Sequence, residues 1–228
     1  MKNLITIGLP SKGRLKDGSI NFLSRNNLKL TSNGGDRNYF AEVKNFPNIK
    51  IIYLHAREII EQISLGNIDV GFSGYDLFKE NEINVQNKIL INKKYNYGNA
   101  NLVLAIPDLW IDVQTLLDLD EVADQFKKNK KRLLRVATKY PNLTRQFLYS
   151  KGITQFQLVK SLGSTEVAPF TGTAEIISDI TSTGATLKAN SLRILKDGEI
   201  LKSQACLMIS KLSSKKTGIK KIINLLRK

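Results

Sequence analysis

The sequence predicts an α/β protein built around parallel sheet. Short apolar, β-branched runs alternate with stretches of helical period, and Gly or Pro marks the connections between them. Two of the strands are joined by a helix, a βαβ unit that requires parallel pairing. A chain of 228 residues, 42% of them hydrophobic, can bury a sizeable core without disulfides or metals.

Taken in order, Leu4–Leu9 is a short buried strand that ends in the loop Pro10-Ser-Lys-Gly-Arg14, and a helix follows to about Asn26. Ile49–Leu54 is a β-branched strand, and Arg57–Leu65 is an amphipathic helix stopped by Gly66. Ile68–Phe72 is the next strand, and Tyr75–Asn81 starts another helix. A second block opens with the strand Asn101–Ile106, closed by Pro107. Val113–Lys128 is a helix whose acids precede its bases, as the helix dipole favours. Leu133–Thr138 is a strand, and Pro141 opens a helix through Ser150 with Gly152 past its end. Gln157–Lys160 reads as a strand, Thr173–Ile180 as a helix and Thr181–Thr186 as a small-residue turn. Leu192–Leu195 and Ala205–Ser210 read as strands, with Lys196-Asp197-Gly198 as a hairpin-type turn. Ile219–Leu226 closes the pattern as an amphipathic helix. There is no repeat and no Pro/Gly/Ser-rich linker, so two lobes would be joined without a tether.

Composition narrows the function. The 35 Lys and Arg against 20 Asp and Glu leave a net charge of +15, which invites a nucleic-acid reading. The surplus is uneven, however: residues 201–228 carry eight Lys/Arg and no acid, and Lys127–Arg135 carries six in nine residues. Neither segment has the interleaved aromatics that single-strand stacking needs, so no specific nucleic-acid partner is expected. The lone cysteine, Cys206, excludes an intramolecular disulfide framework, and with one histidine a structural zinc cluster is implausible. Leu4–Leu9 is too short for a signal-peptide core, and no apolar run reaches the ~18–20 residues of a membrane span. The expectation is a cytoplasmic protein with no membrane partner.

The strongest local chemistry lies in Ser178-Asp179-Ile-Thr-Ser-Thr-Gly-Ala-Thr186-Leu187. Hydroxyls and a glycine in a tight turn offer converging donors for a phosphate, although an ordinary N-capping turn uses the same residues. Asp179 is placed to accept hydrogen bonds from sugar hydroxyls. It is not a Walker loop, since Gly-Lys-[Ser/Thr] is missing. Ser11-Lys12-Gly13-Arg14 follows the first strand directly, where open α/β sheets bind ligands, so Lys12 and Arg14 suit a polyphosphate; an exposed loop is the plain alternative. Arg37 beside Gly34-Gly35 and Arg57 at a helix start are further cations, and Arg57 opposes the helix dipole. His55 and Cys206 read as packed or surface residues rather than as base or nucleophile, and Asp69 and Asp76 serve equally well as turn caps. Nothing resembles a Ser/His/Asp triad, and no protein-bound metal set is visible.

The run Glu166-Val-Ala-Pro169…Gly172…Ala174…Asp179…Ser182-Thr-Gly-Ala-Thr-Leu187…Ala189-Asn190 closely resembles the phosphoribosyl-pyrophosphate signature of the ATP phosphoribosyltransferases, which catalyse the first step of histidine biosynthesis. Leu9-Pro-Ser-Lys-Gly-Arg-Leu15, Asp69-Val-Gly-Phe-Ser-Gly-Tyr-Asp76 and Ala137-Thr-Lys-Tyr-Pro-Asn-Leu-Thr-Arg145 agree in order, so the likeness covers nearly the whole chain. It departs at Glu175, where the family usually has Asp, and at Ser191, where it usually has Gly.

The resemblance implies a two-lobed fold like the type II periplasmic binding proteins, each lobe a mixed sheet flanked by helices, with the active site in the cleft. Residues 1–97 and 190–228 would form lobe I, and residues 98–189 lobe II. It implies a Mg2+-dependent transfer of the phosphoribosyl group of phosphoribosyl pyrophosphate to N1 of ATP adenine, releasing pyrophosphate. Glu166 and Asp179 would then hold ribose hydroxyls, and Ser182, Thr183, Gly184, Ala185 and Thr186 the 5′-phosphate. Lys12 and Arg14 would bind polyphosphate, with Arg37 and Arg57 as the catalytic cations. The length matches the family's short form, so the expected partners are a histidyl-tRNA-synthetase-like regulatory subunit and further copies of this chain. A solute-binding protein of the same architecture is the alternative, opposed by the Ser/Thr-Gly turn.

Overall fold

The computed structural model describes residues 4–31 and 39–226, which fold into two compact units. The first unit comprises Met1–Asn99 and Gln204–Lys228, and the second Ala100–Ser203. The chain opens with β1 (Ile5–Pro10), α1 (Gly13–Arg25), β2 (Leu30–Thr31), β3 (Phe40–Val43), β4 (Phe46–Leu54) and α2 (Ala56–Leu65). It continues with β5 (Val70–Gly74), α3 (Tyr75–Glu80), α4 (Ile83–Gln86) and β6 (Ile89–Lys94). The second unit holds β7 (Ala100–Pro107), α5 (Leu116–Lys130), β8 (Leu134–Thr138), α6 (Pro141–Ser150), β9 (Phe156–Lys160), a 3-10 turn (Thr165–Val167), β10 (Ile176–Thr181), α7 (Ala185–Ala189) and β11 (Leu192–Ser203). The chain then returns to the first unit with β12 (Ala205–Ser210) and α8 (Thr217–Leu226).

The first unit's sheet runs β2-β3-β4-β1-β5-β12-β6, with β4, β1 and β5 parallel and the other pairs antiparallel. Side chains alternate across a strand, so each strand feeds two cores. Ile7, Leu9, Ile51 and Phe72 pack with Leu23 of α1 and Ile219, Ile222 and Leu226 of α8. On the other face Ile59, Ile60 and Ile63 of α2 meet Cys206 and Met208. A Cβ at Gly71 would sit 2.6 Å from Ile59 Cγ2, so α2 can lie this close to β5 only because that residue is glycine. Burial of each such branched side chain stabilises the fold by roughly 1.5–3 kcal/mol. At the amino edge of this sheet the buried Asp69 accepts from the Thr6 amide (2.9 Å), from Lys216 Nζ (2.7 Å) and from the Ser213 hydroxyl, which ties the segment before α8 to β1 and β5.

The second sheet runs β11-β7-β10-β8-β9, with β10, β8 and β9 parallel and β7 antiparallel to both its neighbours. One face is covered by α5 and α6 through Leu116, Leu119, Ala123 and Leu148, and the other by α7 through Leu187. The start of α5 carries a capping box: Thr115 accepts from the Asp118 amide, and Asp118 accepts from the Thr115 amide.

Three expectations are corrected. Residues 173–180 are not a helix: Ile176–Thr181 is the strand β10. It is central, between β7 and β8, so Ile176, Ile177 and Ser178 are all buried and the alternation that marks a strand is absent. Lys196-Asp197-Gly198 is not a hairpin turn but an irregularity inside β11, whose register against β7 shifts between Ile194 and Glu199. Asp197 Oδ1 accepts from the Leu116 amide (2.9 Å) there, so the polar residue serves the start of α5. Residues 190–203 belong to the second unit rather than to lobe I, because β11 pairs with β7 from Leu192 to Ser203.

Candidate functional site

In each sheet the chemistry-bearing loops leave the carboxyl ends of the parallel strands, where open α/β sheets bind their ligands. In the second unit β8 ends at Thr138, β9 at Lys160 and β10 at Thr181, all pointing the same way. The edge is therefore built from Lys139–Tyr140, from the 3-10 turn after β9, and from Ser182–Gly184.

Glu166 is the centre of the 3-10 turn, and Asp179 lies on β10. Asp179 Oδ1 accepts from the Ile180 amide (2.8 Å), and its carboxylate also accepts from the buried Thr165 hydroxyl. Ser161 Oγ in turn lies 2.9 Å from Thr165 Oγ1. Burial pushes the Asp179 carboxyl above its ordinary range, with a smaller push from the Glu166 charge. The Ile180 amide, the Lys139 ammonium and the Thr165 hydroxyl oppose that rise. Two carboxylates and a lysine thus share one small edge.

The hydroxyl-rich segment is a strand-turn-helix. Gly184 adopts φ +76° as the residue before α7, a conformation that costs most side chains strain. Its amide donates to Thr181 Oγ1 (2.9 Å), and the Ala185 amide donates to Thr183 Oγ1 (3.3 Å). Ser182, Thr183, Ala185 and Thr186 are exposed, whereas Leu187 is buried and anchors the helix. A Cβ on Gly184 would meet nothing within 4 Å, so the turn opens onto free space.

Behind this edge lies a buried hydroxyl cluster. The Tyr140 amide donates to Thr138 Oγ1 (2.9 Å), and Thr144 Oγ1 lies 2.7 Å from the Tyr140 carbonyl oxygen and 2.9 Å from Ser178 Oγ. It fastens the loop after β8 to β10. The sequence assigns no specific role to Thr165, Lys139, Thr138 or Thr144. Two signals point there: the run 137–145 agrees with the family, and residues 139–140 directly follow a parallel strand.

In the first unit β1 and β4 end in register at Pro10 and Leu54, and the Ser11 amide donates to the Leu54 carbonyl (2.8 Å). Lys12 precedes α1 and Arg14 lies in its first turn, both exposed, and no side chain caps this helix. Arg57 stands in the first turn of α2, where the exposed His55 is the cap: its Nδ1 accepts the Arg57 amide (3.3 Å). Lys12, Arg14 and Arg57 thus share the carboxyl edge of one sheet. Arg37 lies outside the described residues. Cys206 is fully buried and its thiol is pushed up to about 12 by burial, so it is core rather than nucleophile. Asp76 is buried in the first turn of α3. Among the described residues no group of three or more His, Cys, Asp or Glu converges to hold a metal ion, and no described helix is long and apolar enough to cross a membrane.

Comparison with known proteins identifies the family and the fold. The family model "HisG: ATP phosphoribosyltransferase" matches residues 55–228. An ATP phosphoribosyltransferase of Mesorhizobium japonicum is 45% identical over 209 residues, 91% of this chain and 90% of that protein. One of Brucella suis is 42% identical over 219 residues, 96% of this chain and 95% of that protein. One of Nitrobacter winogradskyi is 44% identical over 211 residues, 92% of this chain but 65% of that longer protein. Among solved structures, an ATP phosphoribosyl transferase (HisG:HisZ) complex from Thermotoga maritima aligns with TM-score 0.73 at 24% identity, covering 98% of this chain and 96% of that one. The Bacillus subtilis amino-acid ABC transporter binding protein ytmK aligns with TM-score 0.52 at 13% identity, covering 99% and 91%. At such identities these two likenesses speak for the fold alone, the two-sheet architecture shared with periplasmic binding proteins. With the matched model and relatives above 40% identity over most of its length, the chain belongs to the ATP phosphoribosyltransferase family, the pentosyltransferases of the first step of histidine biosynthesis.

Proposed function

We propose that the family's transfer is carried out here with a division of labour between the two carboxyl edges. Glu166 and Asp179 accept hydrogen bonds from the ribose hydroxyls of phosphoribosyl pyrophosphate, and Ser182, Thr183, Gly184, Ala185 and Thr186 receive its 5′-phosphate. Lys12, Arg14 and Arg57 meet polyphosphate charge, and Arg37 joins them in the same proposal. The observation that carries this reading is the shared edge of the second sheet: two carboxylates beside a hydroxyl-glycine turn that opens onto space.

In the reaction the bond from ribose C1 to the pyrophosphate oxygen breaks and the bond from adenine N1 to C1 forms, so negative charge grows on the departing pyrophosphate. Such a step needs no protein nucleophile. It is accelerated by holding N1 in line with C1 and by neutralising the leaving group, which is work for fixed hydroxyls, amides and cations. Mg2+ enters as part of the polyphosphate substrate.

The proposal includes a histidyl-tRNA-synthetase-like regulatory partner and self-association within that assembly, supported by the Thermotoga structure being a complex. A cytoplasmic place of action follows from the family's role in amino-acid biosynthesis. The test is formation of phosphoribosyl-ATP from ATP, phosphoribosyl pyrophosphate and Mg2+ by the purified chain, alone and with the regulatory partner. Product in either mixture is expected. No product in both, together with no heat of phosphoribosyl-pyrophosphate binding, would overturn the reading.

A further inference from the structure

We infer that Lys139 is a positioning residue for the transfer: its ammonium group balances the negative charge of Asp179 beside Glu166, and so keeps the Asp179 carboxylate an acceptor for the ribose hydroxyls. The inference rests on the ribose role proposed above for Asp179. Three observations carry it.

The first is register. β8 and β10 pair in parallel with Thr138 opposite Ser178, so the next residues, Lys139 and Asp179, come side by side where the strands reach the edge. Residues opposite one another in a sheet share a face.

The second is rigidity. The backbone on either side of Lys139 is fastened by the buried Thr138, Tyr140, Thr144 and Ser178 contacts at 2.7–2.9 Å. Most lysines of this chain are exposed, but Lys139 is half-buried, held on a short loop stapled to the strand that bears Asp179.

The third is charge balance. Asp179 faces Glu166 and the Thr165 hydroxyl from the 3-10 turn, Lys139 from the loop after β8, and the Ile180 amide on its own strand. Its partner across β7 is Val103, which brings no charge. Lys139 is thus the cation that acts on Asp179 from the elements packed around it. Two like-charged carboxylates in a half-buried site cannot both ionise cheaply without a counter-charge.

The test uses the full chain and measures kcat and KM for phosphoribosyl pyrophosphate across pH 5–9 for wild type, Lys139→Met, Lys139→Arg, Asp179→Asn and the Lys139→Met/Asp179→Asn pair. In Lys139→Met the KM is expected to rise roughly tenfold at pH 7, a factor equivalent to about one pKa unit. The acid limb of kcat/KM should move to higher pH, because loss of the cation makes Asp179 easier to protonate. Lys139→Arg should restore the wild-type limb. In the Asp179→Asn background, Lys139→Met should add less than a threefold further loss. An unmoved acid limb in Lys139→Met, or full additivity in the double variant, would overturn the proposal while leaving Asp179 in place. A wild-type KM in Asp179→Asn would instead overturn the ribose assignment. Near-ultraviolet circular dichroism checks folding, and Lys139→Gln replaces the Met variant if that one fails to fold.

Discussion

Two carboxylates at opposite ends of β10, Glu175 just before it and Asp179 within it, have opposite fates. Glu175, just before the strand, accepts from Arg132 Nη1 and Nη2 (3.0 Å each), from Arg135 Nη2 (2.7 Å) and from the Arg135 amide (2.8 Å). Burial alone would raise its pKa, but these bonds outweigh burial and bring it down to about 2. Asp179, near the other end, has fewer donors, and there burial wins and the pKa rises. The amino edge therefore holds a satisfied ion cluster that stabilises the fold, as Asp69 with Lys216 and Ser213 does in the first unit. The carboxyl edge keeps an acid whose charge is costly in the absence of a ligand. A structural acid is saturated by its own protein, whereas a binding acid keeps acceptor capacity for something else.

That contrast can be broken from either end. The largest effect is expected at the carboxyl edge in Gly184→Val. A β-branched residue at φ +76° is strained by roughly 1–2 kcal/mol, and its side chain enters the space assigned to the 5′-phosphate. Titration calorimetry should find no phosphoribosyl-pyrophosphate binding in a variant whose circular dichroism is native; unchanged affinity would remove the phosphate assignment.

Asp179→Asn comes next. Loss of a charged acceptor is worth roughly 2–3 kcal/mol, or about 30- to 150-fold in kcat/KM. Because the folded pKa is raised, ionising this acid costs stability at pH values above its unfolded pKa. The melting temperature of the Asn variant at pH 7 should therefore equal or exceed that of wild type. A variant that is both less active and clearly less stable would make Asp179 another structural acid.

Glu175→Gln should show the reverse, with kinetics intact and a stability loss of about 1–2 kcal/mol at pH 7. That figure is kept modest because Arg132 is 40% exposed. The folded pKa is depressed, so the stabilisation is complete above the ordinary value of 4.5 and fades as pH falls towards about 2. Denaturant melts at pH 7 and pH 2.5 would reveal it: a difference that persists undiminished at pH 2.5 would contradict the ionic account.

The smallest effect belongs to Ser191→Gly. Ser191 holds φ +49°, a left-handed conformation at a position where the resemblance leads one to expect glycine. Relief of that strain, less the greater unfolded-state freedom of glycine, should stabilise by about 0.5–1 kcal/mol. A differential scanning measurement should find the melting temperature raised by roughly 1–4 °C; a decrease would mean that the serine side chain has a compensating role.

The order of residues alone determines whatever has a local cause. Pro141 at a helix start and Gly66 after a helix end mark boundaries because backbone conformation is decided within a few residues; the helix expected from Val113 starts only at Leu116, behind the Thr115 cap. Lys12, Arg14 and Ser182–Thr186 stood out because charge and hydroxyl density are visible in order along the chain. Residues 173–180 misled because a central strand buries both faces and loses its period, and Lys196-Asp197-Gly198 misled because turn residues also serve a bulge. Pairing across the sheet was out of reach. Glu175 meets Arg135 40 positions away, and Asp179 meets Lys139 through strand register. Both are simply acids in the sequence. Their protonation depends on which donors and charges the folded sheet brings within a few ångströms, and on how much water it leaves there, so only tertiary structure separates the acid saturated by its own protein from the acid we propose for the ribose.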